Sequence, residues 1–467
     1  MLFRSTYGLD IWYTPPIKKP GQTRNSGSAG ALRQLQKVQR IASLAIVGAL
    51  RSTPTDFLDA HAGLLPIELA LLKATHRAMT RMMTLPNTHP LHPMIAYTKE
   101  NPPRKHHSPI ATLLKTFKLQ RKNLEIIYPV AQCPPRALKF TTSISETRED
   151  SIKEEKADKA DFKAFSDGSG LDGDVGAVAV LYRTGWFTPL HSLKYFIGSS
   201  SKHNTFEAEA IGAILATKLL SDCPDTIGKR VSLYIDNQAL IKSIRTTKAT
   251  SGQYLIRHLT LLANALGCSL GVRWISSHSK VRGNEKADEL AKEAASGTSS
   301  EAERLPHLVT APLPLSTSAA KQAYHSKLKE RWKDSWTESE RGDRFKEIDE
   351  KFPFNSYRKR TYRLTRSQAS TLNQLRSGHI PLNNYLFKIN RSESDLCQAC
   401  QEDNYNTVQC KETVKHFLFE CPAYEEYRNE LINKISRSHL NLRDMMSDTD
   451  RMTALAQYIT RTSRFKK

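Results

Sequence analysis

The order of strand-like and helix-like segments between residues 162 and 297 constrains the fold more than any other feature. Three strand patterns come first, in FKAFSDGSG and in GAVAVLYRTGWFTPLHSLKYFIG, which turns at Arg183–Gly185. Helical and strand patterns then alternate through TFEAEAIGAILATKLL, VSLYID, QALIKSI, GQYLIRHLTLLANALG, LGVRWIS and GNEKADELAKEAA. This alternation predicts an α/β domain, with a sheet that is covered by helices.

Four acidic residues of this domain lie where strands end or near where helices begin. Asp167 ends the first strand and Asp236 ends the strand VSLYI. Glu209 lies near the start of a helix in which Gly212 is small enough to let the helix approach the sheet, and Asp288 lies in the first turns of the closing helix. Because side chains at adjacent strand ends converge on one rim of such a sheet, we expect these carboxylates to lie close together.

Carboxylates gathered on one rim repel each other unless cations lie between them. Oxygen-only ligands suit Mg²⁺ or Mn²⁺, and two such ions about 3.5–4 Å apart support phosphodiester hydrolysis. His278, in the loop of WISSHSKVRGNEKAD, can serve proton transfer. Taken singly, each residue has a simpler explanation, such as a turn-forming Asp or a solvated Glu. The set in this order favours a metal-dependent hydrolase.

The blocks SDGSG, FEAEAIGAILA, YIDNQALIKSI and WISSHSKVRGNEKADELAKEAA resemble the type 1 ribonuclease H family, in the form carried by non-LTR retrotransposons. The resemblance implies a mixed five-stranded sheet with flanking helices, and endonucleolytic cleavage of the RNA strand of an RNA–DNA hybrid. It implies two Mg²⁺ or Mn²⁺ ions. Glu207, two residues from Glu209, is the alternative helical acid. The implied catalytic residues are Asp167, Glu209, Asp236 and Asp288 as metal ligands and His278 in a mobile loop.

The resemblance also implies contacts with the hybrid. Backbone amides of Gly168 and Ser169, together with the Gln238 side chain, are expected to reach the 2′-hydroxyl groups that distinguish RNA from DNA. Asn237 departs from the family, which often has Ser or Thr after the third acid, but it keeps the ability to form hydrogen bonds.

The chain is strongly basic, with 69 Lys+Arg against 47 Asp+Glu and a net charge of +22. This excess predicts a polyanionic partner, with nucleic acid first and an anionic membrane second. Contacts of Lys and Arg with phosphate would make the affinity for nucleic acid salt-sensitive. The block Arg358–Arg391 holds eight Lys/Arg and no acid. The basic stretch Tyr357–Arg366 can follow a phosphate backbone while Tyr362 stacks on a base, although a solvated basic face explains this stretch equally well.

The apolar stretches are much shorter than the roughly 18 residues of a membrane-spanning helix, and the first residues do not resemble a secretory signal. We therefore expect a soluble intracellular protein without a membrane partner. The retrotransposon resemblance points to the nucleus.

A second metal site is predicted near the C-terminus. Cys397-x2-Cys400 is followed, after fifteen residues, by His416-x4-Cys421, and two such ligand pairs are typical of zinc sites. Cys410 is a spare ligand. The alternative is a set of reduced cysteines with a surface histidine, but retrotransposon C-termini often show a similar Cys-Cys-His-Cys arrangement.

The N-terminal segments YGLDIWYTPP and LQKVQR are similar to the region that follows the polymerase palm in the same element class. No Tyr-x-Asp-Asp motif is present, so we expect a distal polyprotein fragment without polymerase activity. Two alternatives stay open: a catalytically silent nucleic-acid-binding relic, and a transposase or integrase, whose acid spacing differs. The predicted organisation is 1–136 a helical post-palm remnant, 137–161 a charged linker, 162–297 the ribonuclease H domain, 298–320 a linker and 321–467 a basic helical tail with the zinc site.

Overall fold

The computed structural model describes residues 6–18, 21, 23, 25–100, 108–130, 137–246, 248–340, 345, 347–349, 351–402 and 410–465. The chain forms two compact units, one of residues 1–14 and 74–326 and the other of residues 15–73 and 327–467. The segment 1–136, which the sequence predicts as one N-terminal part, is therefore shared between the two units. No helix of the described ranges is long and apolar enough to cross a membrane.

The secondary structure is as follows. The strands are β1 Thr141–Ser143, β2 Phe162–Leu171, β3 Asp174–Arg183, β4 His191–Ser199, β5 Arg230–Ile235 and β6 Ser269–Trp274. The helices are α1 Leu9–Trp12, α2 Ala29–Val47, α3 Thr55–Ala62, α4 Ile67–Met83, α5 Leu91–Glu100, α6 Pro109–Phe117, α7 Arg148–Ala157, α8 Thr205–Ser221, α9 Gln238–Arg245, α10 Gln253–Ala265, α11 Arg282–Ala295, α12 Thr317–Thr337, α13 Asn355–Arg360, α14 Arg366–Ser377, α15 Asn383–Lys388, α16 Gln398–Glu402, α17 Glu425–Ile435, α18 Leu442–Met445 and α19 Thr449–Arg461.

The first unit contains one mixed sheet in the order β1-β6-β5-β2-β3-β4. β2, β3 and β4 are antiparallel neighbours, whereas β1, β6, β5 and β2 are joined by parallel pairings. The prediction of a mixed α/β fold with flanking helices is confirmed. The predicted number of strands was wrong, because β1 adds a sixth strand beside β6.

The segment 137–161, which was predicted as a charged linker, contains both β1 and α7. β1 has three residues, which is too short to show a strand period in the sequence. α7 is charged on most faces, and Ser151 is its buried residue, with an Oγ that accepts a hydrogen bond from the Ser276 amide at 3.2 Å. One contact of this kind leaves no hydrophobic pattern along a helix.

The strand register brings two of the predicted acids to one level. Ser166 of β2 pairs with Ile235 of β5, so that Asp167 and Asp236 are the next residues on two parallel neighbours. On the other side of β2, Asp167 pairs with Val178 of the buried strand β3.

Two glycines let α8 approach the sheet closely. A Cβ on Gly212 would lie 2.9 Å from the carbonyl oxygens of Asp167 and Val178. A Cβ on Gly168 would collide with the backbone of Ala208 and Glu209. These close approaches bring the first turns of α8, and Glu209 with them, against the strand that carries Asp167.

The buried carboxylate of Glu125 joins three segments of the first unit. It accepts hydrogen bonds from the Ser251 hydroxyl at 2.5 Å, from the Gly252 amide at 2.7 Å and from the Thr317 amide at 2.7 Å. Glu125 is 1% exposed, so its carboxylate depends on these three donors in place of water. It thereby stabilises the N-termini of α10 and α12 together.

Replacing Glu125 with Ala is expected to lower the free energy of unfolding by about 3–5 kcal/mol, because three donors lose their acceptor in a buried position. Glu125→Gln keeps one acceptor oxygen and should cost less. Urea unfolding of the two variants measures the difference, and equal stability of Glu125→Ala and the unchanged protein would contradict this role.

The second unit is built around a buried arginine. Arg376 is 1% exposed, its guanidinium lies 4.1 Å from the ring centroid of Tyr357, and it donates to His61 Nε2 at 2.9 Å and to Asp349 at 2.8 Å. Burial is the main cause that lowers the pKa of His61 well below its usual range, so the ring stays neutral and accepts this hydrogen bond. One of the charges in the basic block Arg358–Arg391 is therefore part of the core.

Candidate functional site

Three of the predicted acids meet at one point of the sheet. Each of Asp167, Glu209 and Asp236 offers a carboxylate oxygen that lies within 4.8 Å of those of the other two. Asp167 comes from the middle of β2, Asp236 follows β5, and Glu209 comes from the first turns of α8. Asp167 and Glu209 are 8% and 6% exposed, so this cluster, the acid triad, is largely screened from water.

The electrostatics of the acid triad favour a bound cation. Burial, followed by the charges of Asp236 and Asp288, raises the pKa of Asp167 to about 7. Burial and the charges of Asp236 and Asp167 raise the pKa of Glu209 well above its usual range. One oxygen of Glu209, Oε2, is buried without a hydrogen-bond partner. Carboxylates that repel each other around an unpaired oxygen are what a hard cation would neutralise.

The fourth predicted acid, Asp288, lies outside the acid triad. Its Oδ2 pairs with Lys292 one turn further along α11, at 2.6 Å. Its charge is still close enough to raise the pKa of Asp167. The structure thus brings together three of the four predicted metal ligands and holds the fourth nearby in an ion pair.

The backbone around His278 has a special conformation. His278 is exposed, and its φ of 49° and that of Lys280, 59°, lie in the left-handed region that non-glycine residues rarely adopt. Arg148 of α7 donates to the His278 carbonyl at 2.5 Å and holds this conformation. Sequence reasoning missed Arg148, which precedes His278 by 130 residues and carries no motif.

Ser277 is a second residue that sequence reasoning missed. Its hydroxyl donates to Asp236 Oδ2 at 2.8 Å, and the Trp274 indole donates to the Asp236 carbonyl at 2.9 Å. Both residues belong to the WISSHS block, so the block itself was the available signal. The first bond orients the Asp236 carboxylate, and the second holds the backbone that carries it.

Replacing Ser277 with Ala should weaken the affinity of the acid triad for a divalent cation such as Mg²⁺ by about 10–100-fold, the usual cost of losing a partner that orients a metal ligand. A titration of the full chain with Mg²⁺ measures this loss. Ser296→Ala, which removes an exposed hydroxyl from the end of α11, is the matched control. An unchanged Mg²⁺ titration in Ser277→Ala would contradict the orienting role.

Glu207, the alternative to Glu209, has a different environment. It forms a reciprocal capping box with Asn204 at the start of α8, and its Oε2 lies 3.7 Å from His203 Nδ1. Glu207 therefore stabilises the helix terminus, and among the described residues it is absent from the acid triad.

The residues predicted to touch the hybrid lie around the acid triad. Gly168 and Ser169 follow Asp167 on β2, beyond the last pairing of that strand with β5. Gln238 opens α9, just after Asp236, and its side-chain oxygen accepts a hydrogen bond from Lys242 at 3.2 Å. Asn237 caps α9 through the amides of Ala239 and Leu240.

The Cys/His residues of the second unit form a compact, buried cluster. Cys397, Cys400, His416 and Cys421 each offer a ligand atom, and these atoms all lie within 4.8 Å of one another. Cys421 Sγ lies 3.9 Å from Cys397 Sγ and 3.6 Å from Cys400 Sγ, and Cys400 Sγ lies 3.4 Å from His416 Nε2. A tetrahedral zinc with bonds of about 2.3 Å to sulfur requires S···S separations of about 3.8 Å, so the donor set fits the ion.

Two thiols of this cluster, those of Cys397 and Cys400, lose their protons less readily than an ordinary cysteine. A hydrogen bond with Cys421 and burial raise the pKa of Cys397 above its usual range, and burial raises that of Cys400 to about 11. Cys410, the spare ligand, is outside the cluster and contributes a backbone carbonyl to the Cys397 amide at 2.9 Å. The fourth residue of the cluster is Cys421, as the spacing predicts.

Much of the basic block Arg358–Arg391 is used inside the second unit. Besides Arg376, several of its arginines bind backbone carbonyls or carboxylates of that unit, namely Arg358, Arg360, Arg363 and Arg366. Tyr362 is 70% exposed under Arg363, whereas Tyr357, at the start of the basic stretch, is buried. The block offers less free charge to a phosphate backbone than its composition predicts.

Comparisons with known proteins give structural matches alone. No family model matches the chain, and no curated protein matches it. The N-terminal RNase H domain of rv2228c from Mycobacterium tuberculosis matches with a TM-score of 0.26 and 20% identity, over 30% of this chain and 95% of that one. LC11-RNase H1 in complex with an RNA/DNA hybrid matches with a TM-score of 0.25 and 17% identity, over 29% of this chain and 96% of that one.

RNase H1 from Halobacterium salinarum gives a TM-score of 0.24 and 19% identity, over 29% of this chain and 98% of that one. The foamy viral protease-reverse transcriptase in complex with an RNA/DNA hybrid gives a TM-score of 0.26 and 14% identity, over 44% of this chain and 28% of that one. Values this low carry no inference about the activity of this chain.

Proposed function

We propose that this chain is a metal-dependent ribonuclease that cuts the RNA strand of an RNA–DNA hybrid endonucleolytically. The observation that carries the proposal is the acid triad, in which the carboxylates of Asp167, Glu209 and Asp236 converge. The pKa values of Asp167 and Glu209 are raised, and one buried oxygen of Glu209 has no hydrogen-bond partner. From the sequence resemblance we also propose that the chain derives from a non-LTR retrotransposon and acts in the nucleus.

The acid triad fits Mg²⁺ or Mn²⁺, because its donors are all oxygens and one of them lacks a partner. Asp167, Glu209 and Asp236 would hold the ions, with Asp288 as a further carboxylate close by. Two bound ions would supply an activated water and stabilisation of the leaving oxygen in an in-line displacement.

The residues around the acid triad have separate tasks. Ser277 orients Asp236, and Arg148 holds the backbone of His278 in its left-handed conformation. His278 is exposed beside the site, so its imidazole is free to accept or donate a proton as the products leave. Gly168, Ser169 and Gln238 are placed to contact the sugar edges of the RNA strand.

The test is cleavage of a hybrid whose RNA strand carries an end label, by the purified full chain in Mg²⁺ and in Mn²⁺. We expect internal RNA fragments from the hybrid and none from double-stranded RNA, single-stranded RNA or the DNA strand. EDTA should stop the reaction. Intact RNA in both metals, with a chain that is shown to be folded, would refute the proposal.

A second candidate is a nucleic-acid-binding protein without turnover. The ion pair between Asp288 and Lys292 favours it, since it keeps a fourth carboxylate away from the acid triad. This candidate predicts tight, salt-sensitive binding of the hybrid with no cleavage in either metal. The same assay, run beside a binding measurement, separates the two candidates.

We also propose that Cys397, Cys400, His416 and Cys421 hold a structural zinc ion. The four buried donors and their tetrahedral separations support this. A closed set of four protein ligands leaves no position for substrate, so the ion would stabilise the fold of the second unit.

A further inference from the structure

The turn between β3 and β4 exposes two aromatic side chains. Trp186 is 53% exposed and Phe187 is 76% exposed. The guanidinium of Arg183 lies 5.8 Å from the Trp186 ring centroid, and that of Arg282 lies 5.2 Å from the Phe187 ring centroid. The base of the turn is fixed, because Thr184 donates from its amide to Asp161 and from its hydroxyl to Ala160. The rings are thus presented by a well-anchored turn.

A positively charged cleft of about 520 Å³ lies beside these rings. Its lining includes Lys156, Lys280, Arg183 and Arg282, and the acid that lines it, Glu155, is already paired with a lysine at 2.9 Å. Within the described ranges, Arg183, Lys280 and Arg282 form no ion pair with a carboxylate. Unpaired cations around a cleft favour an anionic ligand.

The cleft lies on the face of β2 from which Asp167 of the acid triad projects. Lys163 and Phe165 line the cleft, and Asp167 follows at the next alternate position of β2, so the three side chains point the same way. The turn begins after Arg183, which pairs with Phe162, five residues from the level of Asp167. At about 3.3 Å per residue, the two places are about 17 Å apart along the strand.

We propose that Trp186, Phe187, Arg183, Lys280 and Arg282, here called the hairpin surface, bind a single-stranded nucleic acid that continues from the hybrid held at the acid triad. Aromatic rings beside arginines stack on bases, while the cations bind the phosphates. Bases within a duplex already stack on each other, so the faces that these rings need are available in a single strand. The inference rests on the proposed function for the position of the hybrid.

The test compares a blunt hybrid with the same hybrid carrying a single-stranded oligo-dT tail. The tail is about ten nucleotides long, which is within the range that single-strand-binding sites usually cover. Each strand end carries the tail in turn. Anisotropy in EDTA measures the dissociation constant without cleavage. At one of these strand ends, the tail should lower the dissociation constant of the hybrid about tenfold, which is the gain expected from one stacked base.

The double variant Trp186→Leu with Phe187→Leu keeps apolar bulk but removes both rings. It should lose the tail advantage and bind the blunt hybrid as the unchanged protein does. Tyr97→Leu, which removes another exposed aromatic ring of the first unit, is the matched control and should keep the advantage.

Two results would overturn the inference. The first is a double variant whose affinity for the hybrid is raised by the tail as much as that of the unchanged protein. The second is oligo-glutamate that displaces the tailed hybrid as well as oligo-dT does, which would indicate a surface that binds any anion or acidic peptide. A tail advantage in a chain that cleaves no hybrid would support the hairpin surface and refute the hydrolysis, so the two failures are distinguishable.

Discussion

Replacing Asp167 with Asn is expected to lower hybrid cleavage by more than about 100-fold. Losing a residue that only orients a metal ligand costs up to about 100-fold in activity, and losing the ligand itself should cost more. Asn keeps the size of the side chain and removes the charge that would bind the cation. Asp236→Asn should have the same effect, because both carboxylates belong to the acid triad. Initial rates in saturating Mg²⁺ measure the loss.

Asp172→Asn is the matched control, since Asp172 is an exposed acid at the turn that follows β2. Its φ of 49° is one that Asn adopts readily, so the variant should be fully active. Cleavage that persists undiminished in both Asp167→Asn and Asp236→Asn would show that the acid triad is not the catalytic site.

The same substitution has an opposite effect on metal-free stability. The pKa of Asp167 is raised to about 7 in the folded protein, above its ordinary value of 3.8. The folded state therefore holds a proton that the unfolded state has lost, and its stability falls as the pH rises from about 4 through 7. In EDTA at pH 8 we expect Asp167→Asn to melt higher than the unchanged protein. Mg²⁺ should raise the melting temperature of the unchanged protein alone.

Replacing Cys421, one of the four proposed zinc ligands, with Ser is expected to unfold the C-terminal part of the second unit. Structural zinc contributes about 10–16 kcal/mol in zinc-finger peptides, which is as large as the whole stability of a typical protein, about 5–15 kcal/mol. Cys421→Ser should bind less than one zinc per chain and lose amide protection in the region around His416. Metal analysis and hydrogen exchange of the full chain measure the two effects.

Cys410→Ser is the control for this variant, because Cys410 lies outside the Cys/His cluster. It should retain one zinc per chain and ordinary protection. A purified chain without zinc, or a Cys421→Ser variant as protected as Cys410→Ser, would contradict the structural role of the ion.

Local patterns were sufficient for the parts of the fold and site that depend on near neighbours. The strand and helix order of 162–297 follows from hydrophobic periods, and the mixed sheet with flanking helices is confirmed. The register of β2 and β5 aligns Asp167 with Asp236. The prediction that Asp167 ends its strand was wrong, because β2 continues beyond β5 and pairs with β3 as far as Leu171. The Cys/His spacing predicted the metal-binding cluster because the two ligands of each pair are near neighbours in the sequence. The fold then has to bring together only these two pairs.

Other features depend on contacts between distant parts of the chain. β1 becomes a strand because β6 offers a free edge, and Arg148 fixes His278 across 130 residues. The pairing of Asp288 with Lys292 is an exception, because these two residues lie one turn apart on the same helix.

The net charge of +22 illustrates the same division between sequence and structure. The amino-acid sequence determines how many cations the protein has, which acids end its strands and which cysteines form ligand pairs. The tertiary structure decides that Arg376 is buried within a core and that Arg183 and Arg282 lie beside exposed rings. The physical reason is that burial and long-range packing set the free energy of a charge, and neither is encoded in the residues next to it.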